Sequence, residues 1–211
     1  MFKFTTREIE QAMKKLIVVV DSREQKAEGY KSEWKRDNVR SYSKEDFDYY
    51  NLVKKTPKKD LIEPVLPAGD YSAMLPPNTF KGIERALWFD KVTVVEKKAN
   101  INEIAGNISK TDRIRMRNEF ARLKANGTRH RIFIQDTLYF KHIYEGSSDQ
   151  KHNWATQNSL KGAIDRELSV WETELIPVPA EYMAREIYSK LKNDVRTYLE
   201  EHFCIENMDK L

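Results

Sequence analysis

Three places in the chain bring carboxylates to the end of an apolar run. Asp21 and Glu24 follow Leu16–Val20, Asp70 follows the run 61–66 and a Pro-Ala-Gly turn, and Glu96 comes directly after Val92–Val95. Carboxylates that close the strands of one sheet converge on one edge. Two or three such oxygens make a hard, anionic site suited to Mg²⁺ or Mn²⁺ rather than to zinc. Crowded carboxylates repel one another, so the cluster is costly without a cation. Lys98 lies two residues past Glu96, and on a strand residues i and i+2 project from one face. Glu96 can therefore ligate a metal while the Lys98 ammonium holds or polarises a water, or offsets phosphate charge. Lys97 projects to the other face, with its carbonyl still available as a ligand. A clamping cation, a water and a positioning lysine are the toolkit of phosphodiester hydrolysis.

These residues must be held by strands and helices that the sequence also announces. Thr5 or Thr6 caps a helix to about Lys15, with Glu8 placed for a capping box. Leu16–Val20 is a β-branched run typical of a strand buried on both faces. Strands are expected at 61–66, at 71–75 and at 92–95 running into Glu96-Lys97-Lys98. A helix at 101–108 follows, then a longer one at 111–126 stopped by Gly127. A strand at 131–134, a helix at 156–172, a strand at 174–178 and a last helix at 180–201 complete the series. Met183, Ile187, Leu191, Val195 and Leu199 fall on one face of that last helix, and Leu160, Ile164, Leu168 and Trp171 on one side of the helix before it. Strands alternating with helices argue an α/β domain with a central mixed β-sheet flanked by helices. Residues 26–60 show no strand period, and helices or a mobile excursion are expected there, for instance around 44–55.

Composition sets the outer bounds. A length of 211 residues fits a single domain, with 40% hydrophobic residues for its core and 33% charged residues for its surface. The net charge of +4 permits an anionic partner without demanding one. Cys204 stands alone, which rules out an internal disulfide and suits a reducing, cytoplasmic setting. No apolar stretch approaches the length needed to span a bilayer, so no membrane partner is expected. The histidines His130, His142, His152 and His202 form no ligand spacing, which argues against zinc.

Taken singly, each acidic motif is commonplace: a Gly-Asp is usually a turn, and a strand ending in Glu-Lys-Lys is usually a solvated edge. Taken together and in order, Val19-Val-Asp-Ser-Arg-Glu24, Gly69-Asp-Tyr71 and Val95-Glu-Lys-Lys98 resemble the XPF nuclease family. That family belongs to the PD-(D/E)XK superfamily and includes the nuclease domains of XPF, Mus-type and archaeal Hef proteins. The resemblance implies a restriction-endonuclease-like fold and a metal-dependent DNA endonuclease, a stand-alone and phage-like member, selective for branched or flapped DNA. It assigns Asp70 and Glu96 to the metal, Lys98 to the attacking water and Asp21 to a further acidic ligand. Arg23, Glu24 and Lys97 support the pocket. It covers most of the chain, with 26–60 and 76–90 as insertions. Two departures stand out: Lys97 replaces the family arginine, and Asn102 replaces the motif's final aspartate. The tandem helix-hairpin-helix module that often follows such domains has no counterpart up to Leu211.

On the helix 111–126, Met116, Phe120 and Leu123 form an apolar stripe. Arg113, Arg117 and Lys124 lie along one flank, Arg115 and Arg122 along the other. Buried by its stripe, the helix would hold a basic ridge near the surface that reads phosphates rather than bases. By resemblance, Arg113 and Arg117 lie close to the active site. The family's use of its last helix favours a homodimer seam there. Glu84-Arg85 mimics the motif's Glu-Arg but lacks the lysine and the preceding β-branched run. Two other functions fit the same residues: a non-catalytic DNA-binding or dimerisation module, and a linear-duplex or single-strand nuclease.

Overall fold

The computed structural model describes residues 3–21, 39–42, 60–62, 66–108, 112–145 and 157–205. The helices are α1 (Thr6–Met13), α2 (Ile101–Ile108), α3 (Arg113–Ala125), α4 (Tyr139–Glu145), α5 (Gln157–Trp171) and α6 (Met183–Phe203). The strands are β1 (Ile17–Val20), β2 (Val39–Tyr42), β3 (Asp60–Ile62), β4 (Tyr71–Leu75), β5 (Leu87–Trp88), β6 (Thr93–Lys98), β7 (Arg129–Ile134) and β8 (Glu174–Pro177). The chain divides into two compact units, Met1–Val94 with Ala184–Leu211, and Val95–Met183.

The first unit is organised around β1. Its Val18, Val19 and Val20 are completely buried, as an unbroken β-branched run requires. It pairs antiparallel with β2 on one side and β4 on the other. β3 extends β2, and β5 pairs with β4, both antiparallel. The predicted capping box opens α1: the Thr5 hydroxyl accepts from the Glu8 N–H at 3.2 Å, and the Glu8 carboxylate accepts from the Thr5 N–H at 2.8 Å. The inner face of α6 is as expected, with Ile187, Leu191, Val195 and Leu199 all buried. A short backbone bridge ties the ends of this unit together, Phe4 N–H to the Phe203 carbonyl at 2.8 Å and Ile205 N–H to the Phe4 carbonyl at 2.9 Å.

In the second unit β7 and β8 run parallel, in register from Arg131↔Glu174 to Ile134↔Pro177. Parallel neighbours need a crossover, and α4 with α5 supplies it. One core joins Ile101, Ile104, Ala105 and Ile108 of α2 to Phe120, Ile132, Ile134, Ile143, Leu160 and Ile164. Gly127 stops α3 in the left-handed region at φ 68°, where a side chain would be strained. The chain is thus α/β, with antiparallel pairs in one unit, a parallel pair in the other, and helices packed on the strands.

Three elements were not foreseen. β2 falls inside the stretch where helices were expected, and the helix expected around 44–55 lies outside the described residues. β5 is a two-residue pairing inside 76–90. α4 follows Asp136, whose carboxylate accepts the Leu138 N–H at 3.0 Å. Among the described residues, no helix is long and apolar enough to cross a membrane.

Candidate active site

In the first unit, β1 and β4 carry the two aspartates to neighbouring ends. The register places Val20 opposite Tyr71, and one step further the Asp21 N–H donates to the Asp70 carbonyl at 2.8 Å. Opposed residues of an antiparallel pair project from the same face, so both carboxylates leave one side of the sheet. Asp21 is 1% exposed, Asp70 half-buried. Gly69, at φ 73°, makes the turn that starts β4 at this point. Arg23 and Glu24 lie outside the described residues.

In the second unit, Glu96 and Lys98 occupy one face of β6. Their side chains meet at 2.6 Å and are 16% and 13% exposed. The strand ends here because α2 begins almost at once: the Asn100 side chain accepts from the Glu103 N–H at 3.2 Å, capping the helix. Glu103 in turn accepts from the Ala99 N–H at 2.8 Å and lies 3.3 Å from the Lys98 ammonium. Lys98 therefore sits between two carboxylates. Asn102, which takes the place of the motif's aspartate, is half-buried on the first turn of α2, and the acid is found one residue later. Lys97 is half-buried on the other side of the strand by alternation.

Beside Glu96 and Lys98 lies a hollow of about 60 Å³, lined also by Asn107, Arg115, Glu119 and Glu167. Its apolar wall includes Phe120 and Ile132. Next to this wall His130 is buried, its Nδ1 3.1 Å from the Thr173 hydroxyl and its Nε2 without a partner. Burial, only partly opposed by Glu96, lowers its pKa to about 4, and the positive charges of Lys98 and Arg131 push the same way. His130 is a neutral imidazole at pH 7.

The basic flank of α3 lies at the surface and is paired there with α5 and the turn that follows it. Arg117 forks onto Glu167 with contacts of 2.5–3.1 Å, Arg113 reaches the same carboxylate at 3.0 Å, and the Trp171 indole N–H donates to it at 3.0 Å. Lys124 bonds the Val170 carbonyl at 2.8 Å and pairs with Glu172 at 2.8 Å. Glu167 is 3% exposed. Burial pushes its pKa up, but hydrogen bonds from Arg117, Trp171 and Arg113 outweigh this and hold it below the usual carboxylate range. These three basic residues lock α3 to α5. Arg115 and Ile114 are exposed too.

Sequence reasoning missed Glu103 and Glu167; His130, expected to be structural or exposed, is buried. Glu103 had a signal in its position on the first helical turn, where an acid caps N–H groups. Glu167 had one in the stripe Leu160, Ile164, Trp171, where it stands as a lone acid.

The donors available are carboxylate oxygens, the hard type that Mg²⁺ or Mn²⁺ prefers. Among the described residues, no group of three or more His, Cys, Asp or Glu side chains is arranged to hold a metal ion. Compared with protein-family models and with curated proteins, the chain matches none.

Proposed function

We propose that this protein is a metal-dependent DNA endonuclease with a restriction-endonuclease-like fold. The observation that carries the reading is the side-by-side placement of Glu96 and Lys98 on one strand face, with the ammonium held between Glu96 and Glu103. The opposed aspartates Asp21 and Asp70 support it. So does the order of the three motifs, which resembles the XPF nuclease family.

Asp70 and Glu96 would hold Mg²⁺ or Mn²⁺, with Asp21 as a further acidic ligand. When bound, the cation neutralises charge on the scissile phosphate and lowers the pKa of water. Lys98 directs its ammonium at the attacking water and offsets charge that builds on the phosphate. Glu103 keeps that ammonium in place through its hold on Ala99. Branched or flapped DNA is the substrate the resemblance favours.

The test is cleavage of linear, flapped and four-way DNA with Mg²⁺, with Mn²⁺ and with a chelator. Metal-dependent cutting of at least one substrate is expected. An enzyme that cuts none of them, at any metal concentration, overturns the reading and leaves a DNA-binding or dimerisation module.

A further inference from the structure

One hollow in the first unit has no part in the chemistry above. It measures about 620 Å³, within the range of ligand sites. Its walls are mostly apolar, and five of the thirteen lining residues are aromatic. Phe89 and Tyr198 meet edge to face at 6.3 Å, Tyr198 and Phe203 at 5.8 Å, and Phe4 is fixed by stacking on Phe80 at 3.8 Å. Trp88 lines the same hollow. It is held by β5 pairing opposite Met74 and remains half-exposed.

The charged residues on the lining are Arg85 and Lys91 against the single acid Glu84, and all three are exposed. Flat aromatic walls with cations at the margin match a ligand that is flat, aromatic and anionic. An unpaired nucleotide has that chemistry: its base can stack on a ring and its phosphate can meet a guanidinium or ammonium. A duplex does not, because its bases already stack on one another. Glu84-Arg85, which looked like an idle copy of the catalytic motif, stands at the edge of this hollow.

We propose that the aromatic hollow lined by Trp88, Tyr198, Arg85 and Lys91 binds unpaired nucleotides of a DNA strand. The proposal rests on the nuclease reading for DNA as the ligand, and it names the single-stranded part of the substrate as what this surface grips.

The experiment is titration of the full chain with a short oligothymidylate in chelator, read by tryptophan fluorescence and by anisotropy of a labelled strand. Wild type should bind with quenching. Trp88→Phe should lose most of the quench. The exposed pair Arg85→Glu with Lys91→Glu should weaken binding about tenfold or more and leave cleavage of blunt linear duplex unchanged. Glu96→Gln should bind as wild type. Unchanged affinity in the charge-reversed pair, or no quench in wild type, overturns the proposal. So does a dimer by light scattering that the oligonucleotide fails to dissociate and that masks Trp88, since a second copy then fills the hollow. Quenching by a protein that cuts no DNA retains this site and removes the nuclease reading; duplex cleavage without quenching does the reverse.

Discussion

Lys98 contacts Glu96 at 2.6 Å and the more exposed Glu103 at 3.3 Å, and the two carboxylates should separate by experiment. Lys98→Ala should lower kcat for DNA cleavage by about 10²–10⁴-fold with little change in KM, as for removal of a group that moves or positions a proton. Glu103→Gln keeps an acceptor for the Ala99 N–H but removes the charge beside the ammonium. A loss of about tenfold in kcat at unchanged helix content is expected. Wild-type rates in both variants would remove Lys98 from the mechanism. His130 offers a test of burial alone. It protonates near 6.5 in an unfolded chain and only at about 4 when folded. Between these values the unfolded chain binds more protons, so stability falls as pH drops from about 6.5 to about 4, by at most ~3 kcal/mol. Denaturant titrations in chelator should show that slope, and His130→Phe should flatten it. An identical slope in the variant would place the titration elsewhere.

Among the elements, the α3–α5 contact is the most exposed to a single change. Glu167→Gln leaves Arg113 and Arg117 without their counter-charge. With both arginines over a third exposed, solvent softens the cost to about 2 kcal/mol, or roughly 4–8 °C in Tm. Because Glu167 titrates below its ordinary value when folded, its stabilisation is complete above pH ~4.5 and disappears as pH falls through the lower folded value. Wild type and variant should therefore converge in acid, and a constant gap across pH would contradict the ion-pair origin. This contact also shows where sequence was legible. The stripe Met116, Phe120, Leu123 announced α3, the capping box announced α1, and the runs Leu16–Val20 and Val92–Val95 announced β1 and the start of β6. Each is a periodicity that local chemistry enforces. The partner of a basic flank is not written in its own helix, so the pairing of Arg113 and Arg117 with Glu167, 50 residues beyond Arg117, was not legible. β5 owes its two residues to pairing with β4, and β2 to β1; neither carries a period of its own. Asp136 was a readable cap, and α4 could have been found from it. Of the candidate site, the strand ends that carry Asp21, Asp70 and Glu96 were legible. The acid beside Lys98 was sought at 102 and lies at 103, since the helix start rather than the motif fixes its place.

For the molecule as a whole, a modest charge of +4 supplies no strong general field, so the proposed DNA binding must rest on local features. The hollow at Trp88 and the exposed Arg115 are the places proposed for it. The proposed chemistry requires a single divalent ion held jointly by side chains that stand far apart in sequence. Calorimetric titration with Mn²⁺ of wild type, Asp70→Asn, Glu96→Gln and the double variant measures that sharing directly. One shared ion predicts one site per chain in wild type, at least tenfold weaker binding in either single variant, and little further loss in the double variant. Wild-type affinity in either single variant, or losses that simply add with two ions bound per chain, would contradict it.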